Sequence, residues 1–365
     1  MHISTPAVHG SLLALVTAVS VAAPLAAQQT LVSPIQAATN ATSSTNSFPF
    51  NSNVQRRYMQ LHGDLGVGPK QISEIRFRQP CGTGTGGNTR TIVLDMYVGT
   101  GRPVSAASFA IDANYTAPRT QVLTAQTVNW GPTGPQTACA TGPSPFEATM
   151  ALPISPSFLF VGTGNNSFVW EVGIHSISGG SAATNTYVTT NTAGTSTITG
   201  VGCGSMVHGA TVYDHGGILS MNFTVTAAPA SAASVLAIGA TNPAISLPSL
   251  CSPLLTDMLL MLPIGMTSAS GAITTSQAEQ ATFVLPNNFG GFAMQTQVHS
   301  IDVASTFAIP IANSNGRSTL VPAQGTNAAQ VARIFNSAGG LTATSGVYFS
   351  TSTIGYGLPI QVTYQ

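Results

Sequence analysis

"RRYMQLHGDLGVGPKQISEIRFR" (residues 56–78) is the stretch from which the fold of the first half of the chain can be argued. Near its end the residues alternate, with Ile75 and Phe77 on one side of an extended chain and Glu74 and Arg76 on the other. This two-residue period predicts a half-buried β-strand. The stretch also holds seven charged residues, in a chain that has only ten basic and ten acidic ones.

The remaining polar residues of that stretch come just before the predicted strand. Arg56, Arg57, His62 and Asp64 are expected in a neighbouring strand or loop, where they can pair with the charges of the strand. The polar side of a half-buried strand is where solvated charges lie. We therefore interpret the stretch as a charged outer face with surface ion pairs, in preference to a binding or catalytic site.

Two further segments show the same alternation. The residues expected to point inward are Ile92, Leu94, Met96 and Val98 in the first segment and Phe168, Trp170, Val172 and Ile174 in the second. Asp95, Glu171 and His175 are expected to point outward. Glycine-rich turns such as "CGTGTGGN" and "GPTGP" separate the strands. Short alternating strands joined by such turns predict an all-β protein of antiparallel β-sandwich domains, of the jelly-roll or immunoglobulin-like kind.

The second half of the chain also consists of strand-like segments. "LLTDMLLMLPIG" (residues 254–265) predicts a buried strand, because Asp257 and Pro263 interrupt a run that is too short to cross a membrane. "NAAQVARIFN" (residues 327–336) is the only plausible helix.

Composition divides the chain into five predicted parts. They are a signal peptide (1–27), a flexible polar spacer (28–47), an N-terminal sandwich (48–178), a Thr-, Ser- and Gly-rich linker (179–202) and a C-terminal sandwich with an extension (203–365). The role of residues 306–365 stays open at this point.

The beginning of the chain predicts export. An apolar run from Leu12 to Ala23 is too short to span a bilayer, and small residues at Ala26 and Ala27 suit signal peptidase. The segment before the run carries His2 and His9 but no Lys or Arg, which is unusual for a signal peptide. No later run predicts a transmembrane anchor, so the expected location is secreted or at the cell surface.

Four cysteines fit an oxidising compartment. Cys81, Cys139, Cys203 and Cys251 allow three pairings, and no C-x-x-C motif supports zinc or redox chemistry. We expect bonds between Cys81 and Cys139 and between Cys203 and Cys251, because each bond then closes a loop within one predicted domain.

The composition also limits the possible partners. Only 5% of the residues are charged, against about 25% in an average soluble protein, and the formal net charge is zero. A nucleic-acid partner is not expected, because it requires clustered Lys and Arg. Envelope glycans or surface proteins are the expected partners, and no cofactor is expected.

Short motifs give the sequence a resemblance to uncharacterised exported proteins of planctomycete-type bacteria. The second half resembles their C-terminal β-sandwich at Cys203, Cys251, Leu285, Pro286, Asn287, Gln297 and Asp302. The first half resembles a domain often joined to it, at Arg57, Tyr58, Ile72, Ile75, Phe77 and Arg78. The resemblance implies export and two β-sandwiches but supplies no active site. Cys81, Cys139 and the last sixty residues depart from the family's pattern.

Candidate catalytic residues are few. The sequence has neither a G-x-S-x-G nor an H-E-x-x-H motif. A glycosidase needs only two carboxylates, and the candidates are Asp64, Asp95, Glu147 and Glu171. Trp130 beside a turn could be an exposed platform for a sugar, with Tyr213, Tyr348 and Tyr356 as weaker candidates.

One cluster has metal-binding residue types. His208, Asp214 and His215 lie close in sequence, but a surface strand followed by a Gly-Gly turn explains them better than a metal site. We therefore expect a non-enzymatic structural, adhesive or binding protein of the extracellular space or envelope. The alternative is a carbohydrate-active module that binds or hydrolyses glycans.

Overall fold

A computed structural model describes residues 27–365 except 43, 47, 51–54, 181–182, 190, 274–281, 327, 337–339 and 347–352. Strands make up 52% of the chain and no described helix reaches seven residues, which confirms the all-β prediction. No helix in these ranges is long and apolar enough to cross a membrane. The predicted signal peptide lies outside the described residues, apart from Ala27, and stays a prediction.

Nine antiparallel strands form two sheets, which we call the first sandwich. They are β1 (Gln29–Ser33), β3 (Arg56–His62), β4 (Gly68–Arg78), β5 (Arg90–Gly101), β6 (Thr120–Trp130), β7 (Phe146–Gly162), β8 (Ser167–Gly179), β20 (Val331–Asn336) and β22 (Ile360–Tyr364). One sheet has the order β20-β3-β8-β5-β6 and the other β1-β22-β4-β7.

Nine further strands form the second sandwich. They are β11 (Thr192–Ala193), β12 (Thr195–Thr199), β13 (Val207–Asp214), β14 (Ile218–Thr226), β15 (Ala233–Gly239), β16 (Leu260–Met266), β17 (Thr282–Pro286), β18 (Ala293–Ile301) and β19 (Ile311–Leu320). Their sheets have the orders β11-β13-β14-β17 and β12-β19-β18-β15-β16.

Short elements complete the fold. Two small ribbons pair β2 (Thr45–Asn46) with β9 (Thr184–Asn185) and β10 (Tyr187–Val188) with β21 (Tyr356–Gly357). Single turns of 3₁₀-helix cover Ile35–Ala38, Val104–Ala106, Ile111–Asn114, Cys139–Thr141 and Gly340–Thr342.

The core of the first sandwich follows the predicted alternation. The inward positions of β4, β5 and β8 are fully buried: Ile75, Phe77, Ile92, Leu94, Met96, Val98, Phe168, Trp170, Val172 and Ile174. Aromatic rings fill its centre, where the ring of Phe77 lies 5.4 Å from that of Trp130 and 5.6 Å from that of Trp170. Such pairs add to the stability that apolar burial provides.

The C-terminal extension does not belong to the second sandwich, so the predicted boundary of residues 203–365 is wrong. After β19 the chain returns to the first sandwich, where β20 pairs with β3 and β22 lies between β1 and β4. The second sandwich is thus an insertion between β8 and β20 of the first. A pairing between the two ends of a chain leaves no mark on local sequence pattern.

The predicted spacer and linker are also wrong as descriptions of flexible chain. Residues 29–33 form β1, whose partner β22 lies more than three hundred residues away. Residues 184–199 form four short strands that pair with β2, β21, β13 and β19. Strands of two to five residues are too short to show a period.

The predicted helix at residues 327–336 is a strand over Val331–Asn336. Both faces of β20 are covered, because Phe335 packs into the core of the first sandwich while Ala332 and Ile334 belong to a separate apolar cluster. A strand that is buried on both faces loses the alternation that distinguishes it from a helix. Ile218 of β14 joins the same apolar cluster, which connects the two sandwiches.

Candidate functional site

Three of the four arginines of the opening stretch, Arg56, Arg57 and Arg78, are buried, which contradicts the predicted charged outer face. Arg78 donates to the carbonyls of Ala37 at 2.7 Å and Asn40 at 3.1 Å and to Oδ1 of Asn185 at 3.2 Å. Burial lowers the pKa of Arg78 to about 10. This side chain fastens two irregular segments to the first sandwich.

Arg56 is fully buried as well, with its guanidinium 4.4 Å from the ring centre of Phe48. Burial lowers the pKa of Arg56 to about 10. Glu74 and Arg76 do form an ion pair near the surface, and their side chains are 26% and 31% exposed. The concentration of charge in the opening stretch therefore serves mainly to fix neighbouring chain segments.

Glu171 was predicted to face solvent and is instead 2% exposed. Its Oε1 accepts from Nε of Arg57 at 2.6 Å, and its Oε2 accepts from Arg119 and from the hydroxyl of Tyr115, both at 2.9 Å. Arg57 also pairs with Asp112. Protein donors thus occupy both carboxylate oxygens of Glu171. This arrangement is that of a structural residue rather than a catalytic one.

The other carboxylate candidates have separate partners. Asp95 accepts from Nε2 of His175 at 2.9 Å and from the amide of Ala125 at 2.7 Å. Glu147 accepts from the amide of Gly134 at 3.2 Å and from Gln79 at 3.3 Å. Asp95 and Glu171 lie on the same face of the sheet. Their carboxylates bind different groups, and these contacts do not arrange them as a pair around a shared cleft.

The predicted sugar platform is also wrong. Trp130 is buried in the core, where its indole N–H donates to the carbonyl of Ala151 at 3.0 Å. Tyr356 lies under the guanidinium of Arg333, 3.9 Å from its ring centre. Tyr213 is half-buried, and Tyr348 lies outside the described residues.

Ser33, His62 and Asp64 form a buried chain that superficially resembles a catalytic triad. The Trp170 indole, which can only donate, points at Nε2 of His62 at 3.1 Å, so that nitrogen accepts. The ring proton of neutral His62 is then on Nδ1, which donates to Ser33 Oγ at 2.7 Å. Ser33 in turn donates to Asp64.

This direction of hydrogen bonding excludes serine activation, because a catalytic histidine must accept the serine proton. Burial also lowers the pKa of His62 to about 3, which keeps the ring neutral. Gln60 extends the network to Leu358, which lies just before β22, through two hydrogen bonds of 2.7 and 2.8 Å. This hydrogen-bond network thus connects β1 and β3 with the segment that leads into the last strand of the protein.

The candidate metal cluster does not assemble. Asp214 accepts hydrogen bonds from the amides of Gly216, Gly217 and Gly325 and from the side chain of Asn287, at 2.7 to 3.2 Å. His208 instead contacts Thr224 and Thr296. Within the described part of the chain, no three His, Cys, Asp or Glu side chains converge on a metal position.

Both predicted disulfides are confirmed. Cys81 is bonded to Cys139 in the first sandwich, and Cys203 is bonded to Cys251 in the second. Each could contribute about 4 kcal/mol by restricting the unfolded chain. Disulfides persist outside the reducing cytosol, so the covalent structure fits a non-cytoplasmic protein.

The second sandwich contains an open cleft between its two sheets. One lateral side is closed, because β11 continues directly into β12 at Gly194. The opposite side ends in the edge strands β16 and β17, and over their described residues these two strands do not pair with each other. Between them lies a cavity of about 260 Å³, close to the lower limit of about 300 Å³ that is typical of small-molecule sites.

The cleft is lined only by apolar residues. They are Leu219, Met221, Ile238, Leu260, Leu262, Phe283, Leu285, Phe289, Phe292, Met294 and Val321, and they expose no polar surface to the cavity. At its rim Leu260, Phe289 and Phe292 are 50%, 49% and 41% exposed. Exposed apolar side chains at the mouth of an apolar cavity mark a binding surface.

Sequence reasoning missed this cleft and was wrong about the burial of β16. The apolar run "LLMLPIG" predicts a buried strand, yet β16 lies at the edge of its sheet. Two signals were present, namely consecutive apolar residues around Pro263, which is tolerated in edge strands, and the nearby "NNFGGF" loop. Neither signal reveals that the opposite edge strand, β17, leaves a gap.

Comparison with protein-family models, with curated proteins and with solved structures finds no match to this chain. The resemblance to exported planctomycete-type proteins therefore stays a prediction.

Proposed function

We propose that this chain is an exported, non-enzymatic binding protein of the extracellular space or envelope, and that the cleft of the second sandwich holds an apolar ligand. The observation that carries the proposal is the cleft itself, whose lining is entirely apolar and whose rim presents half-exposed Leu260, Phe289 and Phe292 to solvent. Small-molecule sites are typically apolar concavities of this kind.

The electrostatics of the chain support a non-enzymatic role. General acid–base catalysis needs a titratable group within reach of the substrate. Glu171 is enclosed by Arg57, Arg119 and Tyr115, and the ring of His62 is buried. Among the residues that the structure describes, no charged side chain or histidine lines the cleft. The cleft can therefore bind and orient a ligand but supplies no proton donor or acceptor.

The carbohydrate-active alternative receives less support. Sugar recognition uses exposed aromatic rings and polar side chains, whereas Trp130 and Trp170 are both buried. Attachment to envelope material remains part of the proposal, because the exposed apolar rim could also contribute to adhesion.

The direct test is a titration with the anionic amphiphilic dye 1-anilinonaphthalene-8-sulfonate, whose aromatic rings can enter the cleft, excited directly, against the purified chain from about residue 28. We expect saturable binding that is lost in Leu285→Trp, because the indole fills the cleft. Val303→Trp is the matched control, since Val303 is 94% exposed and lies outside the cleft lining. Circular dichroism checks that both variants are folded.

Insoluble polysaccharide and envelope material are incubated with the same preparations, and pelleting and release of reducing ends are measured. Release of sugar would overturn the non-enzymatic proposal. Dye binding that is equal in both tryptophan variants would show that the cleft is not the site.

A further inference from the structure

We infer that the natural occupant of the cleft is the hydrocarbon tail of an uncharged or zwitterionic amphiphile, with its polar end in water beyond the rim. This inference rests on the proposed function and specifies its ligand. Three features carry it: the lining, the shape of the opening and the surrounding charge.

The lining excludes ligands with polar groups at depth. None of the cleft residues exposes a polar atom to the cavity. A buried donor or acceptor without a partner is unfavourable because its hydration is lost, so the inserted group must be free of hydrogen-bonding atoms. A hydrocarbon chain meets this requirement, whereas a sugar or a nucleotide base does not.

An inserted peptide strand is disfavoured for the same reason. A strand needs hydrogen-bond partners along its whole backbone, and it obtains them by adding to an exposed sheet edge. Both edges at the cleft carry proline, namely Pro263 in β16 and Pro286 at the end of β17. Proline has no N–H to donate and is one of the residues that block edge pairing.

The opening indicates an elongated ligand. A compact apolar molecule would be enclosed by the cavity and would need no apolar surface outside it. Here Leu260, Phe289 and Phe292 line the cavity and are also 50%, 49% and 41% exposed to solvent, so the apolar surface extends to its mouth. A chain that runs from the depth of the cleft over the rim would cover this surface.

The described lining provides no charge for the polar end, because it contains no Lys, Arg, His, Asp or Glu. Asp257 is the charged residue nearest in sequence to β16. The affinity should therefore depend on the length of the ligand's hydrocarbon chain and hardly on its head group. It should also depend little on salt concentration, because salt screens interactions between exposed charges.

The experiment measures the affinity of hexyl, octyl and decyl maltoside by calorimetry below their micelle concentrations, with maltose and octyl phosphocholine alongside. Each buried methylene should tighten binding about fourfold, from about 0.8 kcal/mol per CH₂, until the cleft is full. Maltose should not bind, and octyl phosphocholine should match octyl maltoside within about twofold. Leu285→Trp should weaken the longer chains most, while Val303→Trp should bind like the natural chain.

The outcomes separate the two proposals. Dye binding that is sensitive to Leu285→Trp, combined with maltosides whose affinity ignores chain length, would overturn the hydrocarbon tail and leave the apolar-ligand function standing. Binding of maltose itself would overturn both. Flotation with phosphatidylcholine vesicles that Leu285→Trp abolishes would identify membrane lipid as the source of the tail, and binding of monomers alone would identify a soluble amphiphile.

Discussion

The two sandwiches differ in what fills the space between their sheets. In the first, the rings of Phe50, Phe77, Trp130 and Trp170 meet at 4.6 to 6.4 Å and leave a filled centre. The second relies on Leu, Val and Met side chains, with Phe223 as the fully buried aromatic residue of its cluster, and one side stays open between β16 and β17.

This difference suggests a division of roles within one chain. Close packing gives stability because voids forfeit dispersion contacts. Methionine and leucine adapt to irregular space, which suits a surface that must accept a ligand. The filled sandwich also holds both ends of the described chain, through β1 and β22, and so provides a rigid support for the open one.

The largest effect is expected from removing residues 358–365, which deletes β22 from the centre of its sheet. Leu358, Ile360 and Val362 are fully buried in the first core, so the first sandwich should fail to fold. The chain's two tryptophans both lie in that core, and their emission should shift to that of solvated indole.

The second sandwich should survive this truncation, which peptide mapping of the Cys203–Cys251 bond would show. Gln361→Ala, which keeps the strand and changes a half-buried position, is the control and should retain native emission. Native emission in the truncated chain would contradict the assignment of β22 to the first core.

The second largest effect compares one substitution in the two cores. Phe77→Ala should lower the free energy of unfolding by about 3–5 kcal/mol, because it opens a cavity in a filled core. Phe283→Ala should cost only about 1 kcal/mol, since Phe283 already borders the open cleft and adds little new void. Urea denaturation followed by circular dichroism measures both, and equal losses would contradict the contrast in packing.

The third comparison concerns acid sensitivity, which should be greater in the second sandwich. Burial lowers the pKa of His208 and of His215 to about 4, and it also lowers the pKa of His299. The first sandwich has His62, whose pKa burial lowers to about 3. Each is lowered from an ordinary value of 6.5.

The sign follows from proton uptake. Between pH 6.5 and about 4 the unfolded state binds protons on these rings and the folded state does not, so the free energy of unfolding falls as the pH falls. Urea denaturation at pH 7.5, 6, 5 and 4.5 measures this slope. His208→Gln should flatten it, and an unchanged slope would show that this ring titrates normally.

Much of the first sandwich could be predicted from local pattern. Phe77 and Met96 follow a two-residue period because one side of their strands is buried and the other is less so. The same reasoning failed for Arg78 and Glu171, which lie on the polar side but are covered by other segments of the chain. The local sequence shows that a side chain is polar. It does not show that the side chain is buried, because the segment that covers it comes from a distant part of the chain.

The candidate site was beyond the reach of the sequence for a related reason. The run around Leu260 predicts a strand, and the loop with Phe289 and Phe292 is visible as a turn. Their convergence on one cavity depends on which strands end the two sheets. That order is set by pairing between segments far apart in the chain.

The sequence by itself determined the all-β class, the inward faces of β4, β5 and β8 and the two disulfides. These follow from properties that act over a few residues, or from the cysteines being shared out two to each predicted domain. The tertiary structure alone decided that the last strand completes the first sandwich and that Arg56, Arg57 and Arg78 are buried. It also decided that the second sandwich is open on one side. Each of these depends on contacts between distant segments, because burial and strand order are properties of the folded chain as a whole.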